Sequence, residues 1–143
     1  MTLDDIRADF SLLDDWEDKY RYVIELGRMM SAFAEAQRTA DNKVRGCASQ
    51  VWLATHWPPR EGGGPSLAMQ GDSDAHIVRG LVAILMTIYG GLTPREVVET
   101  DARDIFAELG LSDHLTAQRS NGLNSMVERI RADARAALAA EDA

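Results

Sequence analysis

Phe10, Leu13, Trp16, Tyr20, Ile24 and Met30 recur at the spacing of one helix face, and predict a long amphipathic helix from about Trp16 to Ala36. The pattern changes to strict alternation over Ser49–Trp57. There Val51, Leu53, Thr55 and Trp57 share one strand face, while Gln50, Trp52, Ala54 and His56 share the other. Pro58-Pro59 stops this strand, because proline has no N–H to give to a ladder. Gly62-Gly63-Gly64-Pro65 turns the chain, and Ser66–Gln70 is expected to return as the second strand of a hairpin. Two strands alone are marginal, so a third pairing is expected, with Lys43–Arg45 as its source.

From His76 to Tyr89 the chain is apolar almost all round, the signature of a buried central helix. Asp72-Ser73-Asp74 just before it supplies N-cap candidates, and Gly90-Gly91 ends it. Thr93-Pro94-Arg95-Glu96 is a capping box with proline in the first turn. A short helix from about Arg103 to Leu109 stops at Gly110. Leu123, Met126, Val127, Ile130, Ala134 and Leu138 mark a final helix, which the Ala-rich stretch Ala132–Ala143 extends and lets fray. The predicted class is α+β: a small antiparallel sheet of about three strands packed against several helices, one domain over residues 1–143.

Composition narrows the function. The formal charge is −8 and the pI is near 4.8, so the surface repels phosphate backbones and nucleic acid is not an expected partner. The acidic start Met1-Thr2-Leu3-Asp4-Asp5 lacks the basic region of a secretory signal, and the longest apolar run, Leu81 to Tyr89, is too short to span a bilayer. With a single cysteine, these features predict a reducing, cytoplasmic setting and no membrane association.

That cysteine, Cys47, stands in Asn42-Lys43-Val44-Arg45-Gly46-Cys47-Ala48-Ser49-Gln50-Val51-Trp52. A lone thiol has two fates, inert packing or reactive chemistry. Lys43 and Arg45 bring positive charge that favours the nucleophilic thiolate, and Gly46 frees the backbone just before the sulfur. The Gly46-Cys47 pair suggests a residue that alternates between a tucked and an exposed position. None of His56, His76 and His114 has a spacing that announces a base for Cys47, and no metal-ligand spacing appears, so no metal or other cofactor is expected. Gly62-Gly63-Gly64 lacks the Lys-Ser/Thr of a phosphate loop and is read as a turn.

Several stretches, in order, resemble the SufE family. They are Val44-Arg45-Gly46-Cys47-Ala48-Ser49-Gln50-Val51-Trp52, Gly71-Asp72-Ser73-Asp74-Ala75, Gly80-Leu81, Tyr89-Gly90-Gly91-Leu92-Thr93-Pro94, Leu109-Gly110-Leu111, His114-Leu115 and Arg119-Ser120-Asn121-Gly122-Leu123. Trp16-Glu17-Asp18-Lys19-Tyr20-Arg21-Tyr22 is similar to the family's opening helix, and the resemblance covers essentially the whole chain.

The resemblance implies a fold shared with IscU-type scaffolds, without their additional metal-binding cysteines. It also implies a sulfur acceptor rather than an enzyme in its own right. Such a protein takes persulfide sulfur from a PLP-dependent cysteine desulfurase (SufS- or CsdA-like), stimulates that enzyme, and relays sulfur to an iron–sulfur scaffold complex. Cys47 is then the sulfur-bearing residue, and one accessible thiol with no second cysteine to resolve it meets the need of thiol exchange. Arg119 either forms a surface ion pair, or steadies the Cys47 thiolate or docks the partner. Asp74 is expected to cap a helix, with partner contact secondary. Ser49 and Gln50 are placed to hydrogen-bond near the sulfur or to satisfy strand ends, and Arg45 and Gly46 complete the candidate set. The competing expectations are an independent cysteine-dependent enzyme, hydrolase or transferase, acting on a small molecule, and a non-catalytic domain with an inert cysteine.

Overall fold

The computed structural model describes residues 1–142. A short helix α1, Leu3–Ser11, opens the chain with a reciprocal capping box between Thr2 and Asp5. It is separate from α2, Trp16–Arg28, because Asp15 accepts the amide of Asp18 and starts a new helix. The periodic pattern from Phe10 to Met30 therefore spans two helices. The second ends at Arg28, well short of the expected Ala36. Phe33 explains the early stop: it is buried beneath the Arg38 guanidinium, 5.3 Å from its ring, and the chain leaves the helical path to place it there.

Two antiparallel strands follow, β1 Val51–His56 and β2 Ala68–Ser73, with Val51 opposite Ser73 and Leu53 opposite Gly71. The expected third pairing is a single bridge between Lys43 and Trp52, in which the Val44 amide donates to the Val51 carbonyl at 2.9 Å. Strand β2 lies later than the expected Ser66–Gln70. The Leu67 amide bonds the Leu92 carbonyl and its carbonyl takes the Gly91 amide, each at 2.8 Å, so the link after the central helix uses the groups that the sheet would have used.

That central helix, α3 His76–Tyr89, buries Ile77, Val78, Leu81, Val82, Ile84, Leu85, Ile88 and Tyr89. Each such side chain contributes about 1.5–3 kcal/mol of transfer free energy. Asp72 and Ser73 belong to β2, and the N-cap of α3 is Ala75, with no side-chain cap from the expected acids. Asp72 instead binds Arg38 at 2.6 Å and Arg79 at 2.9 Å. α2 crosses α3 where Gly27 meets Gly80: a Cβ on Gly27 would lie 2.7 Å from the Gly80 nitrogen, so glycine permits the contact.

Beyond the Thr93–Glu96 capping box run α4, Pro94–Glu99, and α5, Ala102–Glu108. The last helix, α6, runs from Ala117 to Asp142, and its stripe of Leu123, Met126, Val127, Ile130 and Ala134 closes the core. Ala143, the last residue of the expected fraying end, lies outside the described residues. Among the described residues no helix is long and apolar enough to cross a membrane.

Candidate functional site

Cys47 sits in the connection between the Lys43 bridge and β1, held on one side by α6. Gly46 before it has φ +88°, a left-handed conformation that side chains resist, and a Cβ there would meet Ser125 Oγ at 2.6 Å. Glycine is thus needed at this turn both for its backbone angle and for its closeness to α6.

The sulfur points inward. Cys47 is half-buried, and its Sγ–H donates to the Gly122 carbonyl at 3.6 Å. Around it is a cavity of about 200 Å³, walled by apolar residues from β1, α3 and α6: Val51, Val78, Leu81 and Met126. Ser49, Thr116, Gln118 and Arg119 add the polar lining. Gly122 faces the thiol directly, since a Cβ on it would stand 3.6 Å from Sγ.

This placement corrects the expected electrostatics. Burial pushes the Cys47 thiol above its ordinary value, and no neighbouring cation opposes that. Lys43 and Arg45, expected to favour the thiolate, line a different hollow on the far side of the loop, beside Ser125 and Arg129. Sequence adjacency gave them the wrong neighbour, because the left-handed turn at Gly46 redirects the chain between Arg45 and Cys47.

Arg119 is the charged residue of the cavity lining among the described residues. It lies inside the first turn of α6 rather than before the helix, with its amide on Thr116 Oγ1 at 3.2 Å. Its guanidinium carbon stands 5.8 Å from the Tyr20 ring centroid and a terminal nitrogen 3.5 Å from the phenol oxygen. No carboxylate pairs with it among the described residues. Trp16 meets Tyr20 edge-on at 6.1 Å, and His114 stacks on Trp16 at 4.3 Å, so an aromatic brace holds the cation at the cavity.

Asp74 anchors the loop's other end: its Oδ1 accepts the Gln50 amide at 3.0 Å. It satisfies a strand start instead of the expected helix start. Gln50 is exposed and its side chain is not among the cavity's lining groups, whereas Ser49 is. Sequence reading missed Gly122, Ser125, Tyr20 and Thr116. A glycine inside a helical pattern signals a close approach, and Gly122 carried that signal. None of the three histidines lines the cavity, and no cluster of three or more metal-ligating side chains occurs among the described residues.

Residues 4–134 match the family model SufE, described as an Fe-S metabolism associated domain. An uncharacterized SufE-like protein of Rhizobium meliloti (strain 1021) is 52% identical over 139 residues, covering 97% of this chain and 99% of its own. Another, from Rhizobium etli, is 55% identical over 139 residues, covering 97% of this chain and 93% of its own. The solution structure of a hypothetical protein from Thermus thermophilus superposes with a TM-score of 0.73 over 97% of this chain and 99% of that one; at 20% identity this shows a shared fold. Near-complete coverage by the family model, together with relatives above half identity, places the chain in the SufE family of Fe-S metabolism.

Proposed function

We propose that this chain is one domain that acts as a persulfide carrier. Cys47 takes the outer sulfur from the persulfide of a PLP-dependent cysteine desulfurase, stimulates that enzyme by unloading it, and passes the sulfur to an iron–sulfur assembly scaffold. The observation that carries this reading is the single cysteine, turned into a cavity of about 200 Å³ whose lining mixes apolar and polar side chains and, among the described residues, contains no His, Asp or Glu.

In the transfer, the Cys47 thiolate attacks the outer sulfur of R–S–SH. A bond from Sγ to that sulfur forms, the S–S bond of the desulfurase persulfide breaks, and the desulfurase thiolate R–S⁻ leaves and takes up a proton. The product's outer sulfur stands about 2 Å beyond Sγ. A site able to hold a few waters has room for it, since a water's share of liquid volume is about 30 Å³. The apolar walls shield it from oxidants. Arg119 supports the loaded state by facing the cavity with a charge that no carboxylate among the described residues cancels.

The absence of His, Asp or Glu from the described cavity lining argues against an independent hydrolase, which needs a base within hydrogen-bond reach. Attack on a partner's persulfide requires the loop to turn outward; the left-handed Gly46 and the Asp74–Gln50 contact bound the loop at its two ends and support this reading. Desulfurase turnover, followed as alanine release from cysteine, tests the reading. Added wild-type chain raises the rate several-fold and Cys47→Ser does not; equal stimulation by both contradicts it.

A further inference from the structure

Six of the fifteen Lys and Arg side chains have no carboxylate partner among the described residues: Lys19, Lys43, Arg45, Arg95, Arg119 and Arg135. Three of them flank the Cys47 loop. Arg119 lines the sulfur cavity, while Lys43 and Arg45 line the hollow of about 570 Å³ on the loop's opposite side. The hollow's other charges are mostly engaged. Arg129 holds Asp133 at 3.2 Å and the Asp41 carbonyl at 2.7 Å, and Glu128 is bound by Arg103 at 3.0 Å and Arg131 at 3.8 Å. Among the described residues Asp41 remains the one free carboxylate there, against two free cations.

In a chain of net charge −8, this is an inverted local balance, and it lies next to the sulfur. Arg45 is two residues from Cys47, and the floor of the hollow includes Ser125, against which Gly46 turns. A body docking here presses on the same turn that aims the thiol. On a chain whose net charge disfavours anionic surfaces, two free cations side by side beside the Cys47 loop favour an anionic segment landing here.

We propose that the Lys43–Arg45 hollow is the docking site for an acidic segment of the cysteine desulfurase that loads Cys47. This rests on the carrier reading above and adds the chemistry of the partner's contact. The contact is exposed and ionic, so it sets encounter rate and half-saturation more than chemistry, and salt screens it within about 10 Å at 0.1 M.

The test titrates the double variant Lys43→Glu/Arg45→Glu against the cysteine desulfurase that loads the wild-type chain, reading sulfur on Cys47 by intact mass. Arg95→Glu/Arg135→Glu, with the same change in net charge away from the loop, serves as control. The first variant requires about tenfold more protein for half-saturation and loses the salt dependence of the wild type. The control behaves as wild type. Equal urea midpoints for all three chains exclude a folding defect. Equal half-saturation for the two double variants overturns the inference while leaving the carrier reading intact. A wild-type chain that accepts no sulfur from any desulfurase overturns both.

Discussion

Cys47 Sγ and the Gly122 carbonyl, 75 residues apart in sequence, meet at 3.6 Å, and this contact joins a loop to the inner face of α6. It turns the thiol inward and favours its protonated form.

Replacing Gly122 by alanine is tolerated. A Cβ there makes ordinary contact with Sγ at 3.6 Å, and helical alanine is favoured over glycine by about 0.5–1 kcal/mol. Urea denaturation of Gly122→Ala therefore gives a midpoint at or above wild type. A loss of stability would mean that the contact is tighter than this geometry.

Gly46→Ala behaves oppositely. Its left-handed φ and the clash at 2.6 Å with Ser125 Oγ cost about 1–3 kcal/mol, or the loop gives way and exposes the sulfur. Either a lower urea midpoint or faster alkylation of Cys47 is expected, and a variant unchanged in both contradicts the reading of this turn.

Helices and strands were legible in the sequence because burial writes a period into it: α3, the Thr93 capping box and the β1 alternation stand where expected. The misreadings occur where a long-range contact outbids a local signal. Asp72 resembles a cap but serves Arg38 and Arg79, and Leu67 resembles strand but bonds the link after α3. Cys47 was visible as the candidate reactive centre from its uniqueness and its motif. Its electrostatics were not, because residues two and four positions away, Arg45 and Lys43, face another hollow, while the cation that lines its cavity, Arg119, comes from α6.

Burial raises the Cys47 thiol, so folding favours its protonated form. That stabilisation is complete below the ordinary thiol value near 8.5, and is lost as pH rises through the raised value. The urea midpoint of wild type accordingly falls more steeply above about pH 8.5 than that of Cys47→Ala. Parallel curves would mean that the thiol is not held above its ordinary value.

Removing the Asp74 carboxylate frees the Gln50 amide at the loop's far end. Asp74→Ala is expected to lower stability by about 0.5–1.5 kcal/mol and to quicken alkylation of Cys47 by several-fold at fixed pH. Unchanged alkylation would show that Gly46 alone governs the loop.

Arg119→Gln separates the empty state from the loaded one. Cys47 feels burial rather than any charge, so the pH profile of thiol alkylation stays that of wild type. The persulfide form, whose outer sulfur enters the cavity, is retained for a shorter time in the variant, measured as decay of the loaded mass. If the free thiol's profile shifts instead, Arg119 acts on Sγ itself.

The central claim is that Cys47 carries sulfane sulfur, and intact mass tests it most directly. Wild type and Cys47→Ser are each incubated with a PLP-dependent cysteine desulfurase and cysteine. The carrier account predicts a gain of about 32 Da per sulfur on the wild type, removed by a thiol reductant and absent from the variant. An unchanged wild-type mass across a range of desulfurases, or an equal gain on Cys47→Ser, would contradict it.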